Sequence, residues 1–424
     1  MRYTFNLVFK DHLGMNFTIT DDQAEFHYSN SYRICYATHP IDDVSFFIRS
    51  EQLLTENGVK QQNLTVGNWN GIVTLFSNHS NRYFPFDIFS AIFFLVSRYE
   101  EYLPHVRDQY NRFEPESSIA FAHGFLDMPV VNHWIDRFAK ALQNKFPGIQ
   151  FRPPAYRYIS TIDIDNAYAF KQKGAMRTFG GYLRGLLNLN WKNILDRTNV
   201  ILGKMPDPFD SYSNQLQLQE EFQLEVIYFI LLGDYGINDK NLPSNNTHLQ
   251  ELIKHLSDYA EVGIHPSFGS NENPSQVKKE ISRLTRITHK EVKSSRQHFS
   301  RLHFPSTYQI LLENEVQQDF SMGYHDVSGF RAGISTPFFW YDLESEIETS
   351  LKVFPHVFSE SCLRYGMKLN PEQAFEHAKA LITRVKDTNG TFVSMFNNES
   401  MGDYGEWNGW KSLYKQIILE AKSQ

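Results

Sequence analysis

The chain has 424 residues, too many for one ordinary hydrophobic core, and its 41% hydrophobic and 21% charged residues describe a soluble globular protein. A formal charge of -7 without a basic block argues against nucleic acid as a partner. The two cysteines, Cys35 and Cys362, are too far apart and too few for a disulfide framework or a thiolate metal site, and a reducing compartment fits them.

At the N-terminus, "MRYTFNLVFKDHLGMNF" alternates polar and apolar side chains through Tyr3, Phe5, Leu7 and Phe9, which predicts a strand and not a signal peptide. Short alternating segments such as "NFTIT" and "GIVTLF" extend the pattern, so residues 1–150 are expected to form a smaller α+β unit. The apolar run "IFSAIFFLV" at 88 to 96 is about half the length a bilayer span needs, and it reads as a core helix. Arg98, Glu100 and Glu101 mark its polar end and Pro104 stops it. Together these features predict a cytoplasmic protein without a membrane span.

From about residue 152 strands alternate with helices. "LEVIYFILLGD" at 224 to 234 is a continuous apolar run, as in a parallel strand covered on both faces. "THLQELIKHLSDYA" carries Leu249, Leu252, Ile253 and Leu256 at helical spacing, and the short strand "EVGIHPSF" follows. A second helix begins near Pro274, with Val277, Ile281, Leu284 and Ile287 on one face. The series ends with helix "NPEQAFEHAKALITRVKDTNG", strand "TFVSMF" and helix "WKSLYKQIILEAKS". Residues 151–424 are therefore expected to form a distorted (β/α) barrel or a related α/β layer, within an α/β protein of two domains.

In such folds chemistry collects at the carboxyl ends of the strands. Three polar clusters stand at such ends: Asp163 with Asp165 in "TIDID", His265 in "GIHPSF", and Arg296 with His298 in "SSRQHF". Carboxylates are expensive to bury unpaired, so two of them near two histidines suggest a divalent cation or a general-base pair. An Asp and His donor set favours zinc with an open position for water. The blander readings are a loop-capping acid pair, a satisfied core histidine and a surface turn.

The order of these pieces resembles the polysaccharide deacetylase family, metal-dependent carbohydrate esterases. "TIDID" resembles its strand-end T-F-D-D motif, "GIHPSFG" its G-x-H-[ST]-x-x-H motif with Gly269 in place of the second histidine, and "RQH" its R-x-P motif with a histidine gained. A closer resemblance is to a bacterial branch of the family with an N-terminal accessory domain. It is carried by "IFFLVSRYEEYLP", "GFLDMPVVNHW", "DPFDSY", "DFSMGYHDVSGFRAGISTPFFWYDL" and "GTFVSMFNNES".

The resemblance implies a divalent ion, zinc by preference, on Asp165, His265 and His298. Asp163 would be the base of a metal-assisted water attack on an N- or O-acetyl group of a carbohydrate, and Arg296 would orient it. The two aspartates could exchange roles. The family's L-x-H motif supplies a general acid, but "MFN" places Asn397 there, and an amide cannot deliver a proton near neutral pH. Glu399 and His325 are the replacement candidates, each with surface solvation as its alternative. An ester leaving group needs less protonation than an amine, which tilts the expectation toward O-deacetylation.

Arg331 in "GFRAG" is a substrate clamp or a structural salt bridge, and Tyr324 is a second candidate substrate contact. Lys171, Lys173, Arg177 and Arg184 form a lid over an acidic glycan or a solvated helix face. Two rival functions follow from Asn397 and from the metal site: a glycan-binding homologue that has lost turnover, and a metal phosphoesterase. The second lacks the extra ligands of a two-metal site. Nothing in the sequence specifies the oligomeric state.

Overall fold

The computed structural model describes residues 1–78, 84–271 and 273–423. Its main sheet has eight strands among these residues: β1 Arg157–Ile164, β2 Glu225–Ile230, β3 Glu261–Ile264, β4 Ser294–Ser295, β5 Gln318–Asp319, β6 Phe338–Asp342, β7 Ile347–Val353 and β8 Thr391–Asn397. They lie in the order β6-β7-β5-β4-β3-β2-β1-β8. All neighbours are parallel except the edge pair β6 and β7. Since β6 and β8 do not pair, the sheet is an open α/β layer and not a closed barrel.

β1 sits between β8 and β2 and is buried at every position after Arg157, as its unbroken β-branched and aromatic run requires. Helices Thr247–Tyr259 and Pro274–Thr288 form where their apolar spacing predicts, the latter opening on Pro274. Helices Pro371–Asp387 and Trp410–Lys422 close the chain on either side of β8. Asn370 begins the first of these, its side chain accepting from the Gln373 N–H while the Gln373 side chain accepts from the Asn370 N–H.

The expected N-terminal strand is a helix, α-helical over Arg2–Phe5 and wider-wound over Asn6–His12. The alternation misleads because this segment is buried on nearly every side: Thr4 and Val8 are as enclosed as Tyr3 and Phe9. Phe5 packs edge-on against Phe89 and Phe9 against Phe138, while the Tyr3 hydroxyl donates to the carbonyl of Phe339 on β6. "NFTIT" forms no strand either; among the described residues of the first 150, the sheets are two small two-stranded ones.

The run at 88 to 96 is the expected core helix, Ile88–Val96, with its N-terminus capped by the Asp87 side chain. One hydrophobic core joins it to the N-terminal helix, helix Val130–Lys145 and strands β6 and β7. A second core lies beneath β1, β2 and β8, covered by the helices from 212 onward.

Candidate metal centre at the strand ends

β1 delivers both aspartates. Asp163 is the penultimate residue of the strand and Asp165 follows its end, so the two-residue spacing sends both to the same side. β3 ends at Ile264 and presents His265; β4 ends at Ser295 and presents Arg296 and, after one residue, His298. The backbone turns sharply there, because Phe299 and Ser300 both take left-handed conformations, with φ of 60° and 53°. Such conformations cost free energy in non-glycine residues and persist only where the surroundings enforce them.

The structure brings Asp165, His265 and His298 together: one donor atom from each lies within 4.8 Å of the others. His265 Nε2 is 3.2 Å and His298 Nε2 is 3.5 Å from the two oxygens of Asp165. Both rings are fixed from behind. His265 Nδ1 contacts the Arg296 carbonyl at 2.6 Å, and His298 Nδ1 contacts Asp239 Oδ1 at 2.9 Å, so each Nε2 faces the shared space. Hydrogen-bonded Nδ1 and free Nε2 is the arrangement of metal-ligating histidine, and these residues fit a divalent ion.

Burial opposes charge on these groups, but the ion pairs outweigh it. Burial alone would lower the His298 imidazole, yet Asp165 and Asp239 raise it to about 9. Burial would likewise raise Asp165, and His298 and His265 instead hold it well below the usual carboxylate range. The two carboxylates thus favour the protonated imidazole, a proton that a cation held there would have to displace.

Asp163 is 1% exposed and neutralised by Arg296, whose Nη1 donates to its Oδ1 at 3.0 Å. The same guanidinium donates to the Thr161 hydroxyl and the Phe320 carbonyl and lies over the Phe229 ring. Asp163 Oδ2 is 4.0 Å from His265 Nε2, so this second carboxylate borders the donor set without joining it.

Asn397 stands opposite Asp163 in the β8–β1 register. Its backbone N–H and its side-chain amide both donate to Glu360 Oε1, at 2.9 and 2.8 Å. Glu360 is fully buried; desolvation and the charge of Asp163 push it up to about 7. Glu399, after the end of β8, accepts from the Asn166 amide beside Asp165 and is also pushed up to about 7, by burial and by the Asp165 charge. His325 is pushed down to about 4 by burial and by Arg112, so it is neutral at physiological pH.

Arg331 is buried in an ion pair with Glu101, through contacts of 2.9 and 2.6 Å, and Arg98 donates to the same carboxylate at 2.8 Å. Burial would raise Glu101, but the two guanidinium groups hold it at about 2. The "polar end" of the 88–96 helix is thus an enclosed charge cluster. Arg331 also lines a cavity of about 230 Å³ with Tyr324, His325 and residues 108 and 112–116. The buried Tyr324 hydroxyl has no hydrogen-bond partner.

Sequence reasoning missed Asp239 and Glu360. Asp239 lies in a loop, "GINDKN", with no motif around it, and Glu360 lies after β7 in "FSESC". Among the remaining basic candidates, Lys173 Nζ donates to the Asn166 side chain at 3.0 Å and Arg177 to the carbonyls of Lys240 and Asn241, while Arg184 is exposed.

Residues 1–147 match the model of a family of unknown function (DUF7033). No curated protein matches the chain. A presumed polysaccharide deacetylase from Mycobacterium smegmatis is similar in structure, with 14% identity over 65% of this chain and 87% of that one and a TM-score of 0.41. The catalytic domain of a peptidoglycan N-acetylglucosamine deacetylase from Eubacterium rectale shares 11% identity over 64% and 86% of the two chains, at a TM-score of 0.30. A CE4-family pseudoenzyme from Bacillus anthracis shares 9% identity, covering 63% of each chain at a TM-score of 0.31.

Proposed function

We propose that the chain is a metal-dependent hydrolase that removes N- or O-linked acetyl groups from a carbohydrate. The observation that carries this reading is the convergence of three metal donors from three strand ends beside a fourth, arginine-held carboxylate. Asp165, His265 and His298 would hold the ion. Zinc suits two imidazoles and a carboxylate, and when bound it supplies Lewis acidity toward water and the acyl oxygen.

The chain's own groups do the rest. Asp163 takes the proton of the attacking water, because Arg296 holds one of its oxygens and leaves the other toward the donor set. Glu399 is placed to return a proton to the leaving group: it is half-buried near Asp165 and carries its proton up to about pH 7. His325 cannot serve, being already neutral. Tyr324 and the cavity it lines would receive part of the glycan, and residues 1–150 would act as an accessory unit forming one wall of that cavity. A cytoplasmic location belongs to the same proposal; among the described residues no helix is long and apolar enough to cross a membrane.

Metal analysis with acetate release from acetylated sugars tests the reading. About one divalent ion per chain is expected, lost in His298→Ala, and Asp163→Asn should keep the ion while losing acetate release. Full metal binding by His298→Ala would remove the proposed donor set. The second reading, a glycan binder without turnover, draws on Asn397, whose amide is bonded to Glu360 where the family has an imidazole. Glycan binding without acetate release from any substrate would establish it.

A further inference from the structure

Of the 24 large apolar side chains exposed among the described residues, ten lie between residues 176 and 202. This segment folds as two helices, Gly174–Leu187 and Trp191–Ile201, packed on each other through Gly181, Gly185 and Ile194. On the first helix Met176, Phe179, Leu183 and Leu187 recur at i, i+3, i+7 and i+11, one continuous stripe, and Met176, Phe179 and Leu187 are 89%, 71% and 75% exposed. On the second, Trp191 and Leu195 repeat the pattern. A soluble surface scatters such residues singly; a contiguous stripe marks a face that something covers.

Charge says what covers it. Residues 171 to 204 contain seven Lys or Arg and one acid, Asp196, in a chain whose net charge is -7. Arg184, Lys192 and Lys204 are exposed in the same segment. A second copy of the chain meeting this face about a two-fold axis would set basic residues against basic residues. An anionic lipid surface complements both features, taking the apolar stripe among its acyl chains and the basic flank at its headgroups.

We infer that the hairpin of residues 174–201 docks the protein in the plane of an anionic membrane surface. Neither helix is long and apolar enough to cross it. The loop at 235–241 joins the same face: Tyr235 stacks on Arg177, Ile237 is 87% exposed, and Arg177 donates to the carbonyls of Lys240 and Asn241. That loop carries Asp239, which holds His298, and Lys173 at the foot of the hairpin holds Asn166, the neighbour of Asp165. The metal centre therefore opens beside the docking face. On the hydrolase reading, its substrate is a glycan borne on or close to lipid.

Flotation of the full chain with vesicles tests the docking. Binding is expected to vesicles of phosphatidylcholine mixed with phosphatidylglycerol, to be weaker to phosphatidylcholine alone, and to fall with added salt. Arg184→Gln with Lys192→Gln should weaken partition roughly 30-fold, two surface charges being removed. Phe179→Ser with Leu187→Ser should abolish it, and both pairs should leave the circular dichroism and Tm unchanged because the residues are exposed. Absence of flotation, flotation indifferent to both pairs, or a dimer in sedimentation that these substitutions dissociate would each overturn the inference. Acetate release from a soluble sugar is measured separately, so failure of the hydrolase reading leaves docking standing, and the reverse.

Discussion

Glu360→Gln isolates the effect of one buried carboxyl. In the folded protein this group is pushed up to about 7 from an ordinary 4.5, first by burial and then by the charge of Asp163, against two hydrogen bonds from Asn397. A folded-state value raised above the unfolded one means that the native protein binds the proton more tightly. The associated stability is complete below about pH 4.5 and is lost as pH rises through 7. The gap of about 2.5 units corresponds to about 3 kcal/mol. Glutamine keeps the carbonyl that accepts both Asn397 bonds and is neutral at every pH. Its new amide sits where Glu360 Oε2 has no partner, a cost that does not vary with pH. Urea unfolding of both proteins at pH 5 and pH 8 gives two stability differences. The variant should gain about 2.5 kcal/mol on wild type between the two, slightly less than the full gap because pH 5 lies above 4.5. An equal difference at both pH values, or a variant that loses ground at pH 8, would show that Glu360 is ionised in the native protein and that the account of its surroundings is wrong.

Asp239→Asn removes the carboxylate behind His298 and should lower metal affinity by about 10- to 100-fold, read by competition with a chelator; unchanged affinity would detach Asp239 from the site. Asn397→His should raise turnover on amide substrates by about 100-fold where proton transfer limits, with a smaller effect on esters, and equal effects would place the proton donor elsewhere. Arg331→Met leaves Glu101 with Arg98 alone and should cost about 3 to 5 kcal/mol of stability in thermal or urea unfolding. A variant of normal stability whose KM rises would instead make Arg331 a substrate clamp.

Much of the fold beyond residue 152 is written in local pattern. The helices at 247–259, 274–288 and 371–387 declare themselves through apolar spacing, the last two also through proline at their starts, and β2 and β8 through unbroken apolar runs. Closure is not local. Whether β6 and β8 meet depends on accumulated twist and on what packs at the edges, and here β6 is engaged by the N-terminal helix through Tyr3. The first twelve residues illustrate the same limit, since period-two alternation identifies a strand only where one face meets water. Arg98 and Glu101 read only as the polar end of a helix, and Arg331 as a clamp or a salt bridge without a named partner, for a related reason: Glu101 and Arg331 are 230 positions apart, and only the folded chain brings them together.

The cluster of Asp165, His265 and His298 was legible because strand ends are where parallel sheets gather side chains. Gly269 stands where the motif that the sequence resembles has its second imidazole, and its N–H donates to Asp239 Oδ2, while the other oxygen of that carboxylate holds His298. The loop of Gly269 thus anchors, through the N–H groups of Phe268 and Gly269, the carboxylate that holds His298, so positions 269 and 298 meet at Asp239 on a neighbouring loop. No sequence signal marks that aspartate, because a buttressing residue needs only a carboxylate at the right place, on any loop that reaches it. The same holds for Glu360. Its proton is held by burial and by Asp163 across the strand ends, and neither cause exists until β1, β7 and β8 have come together.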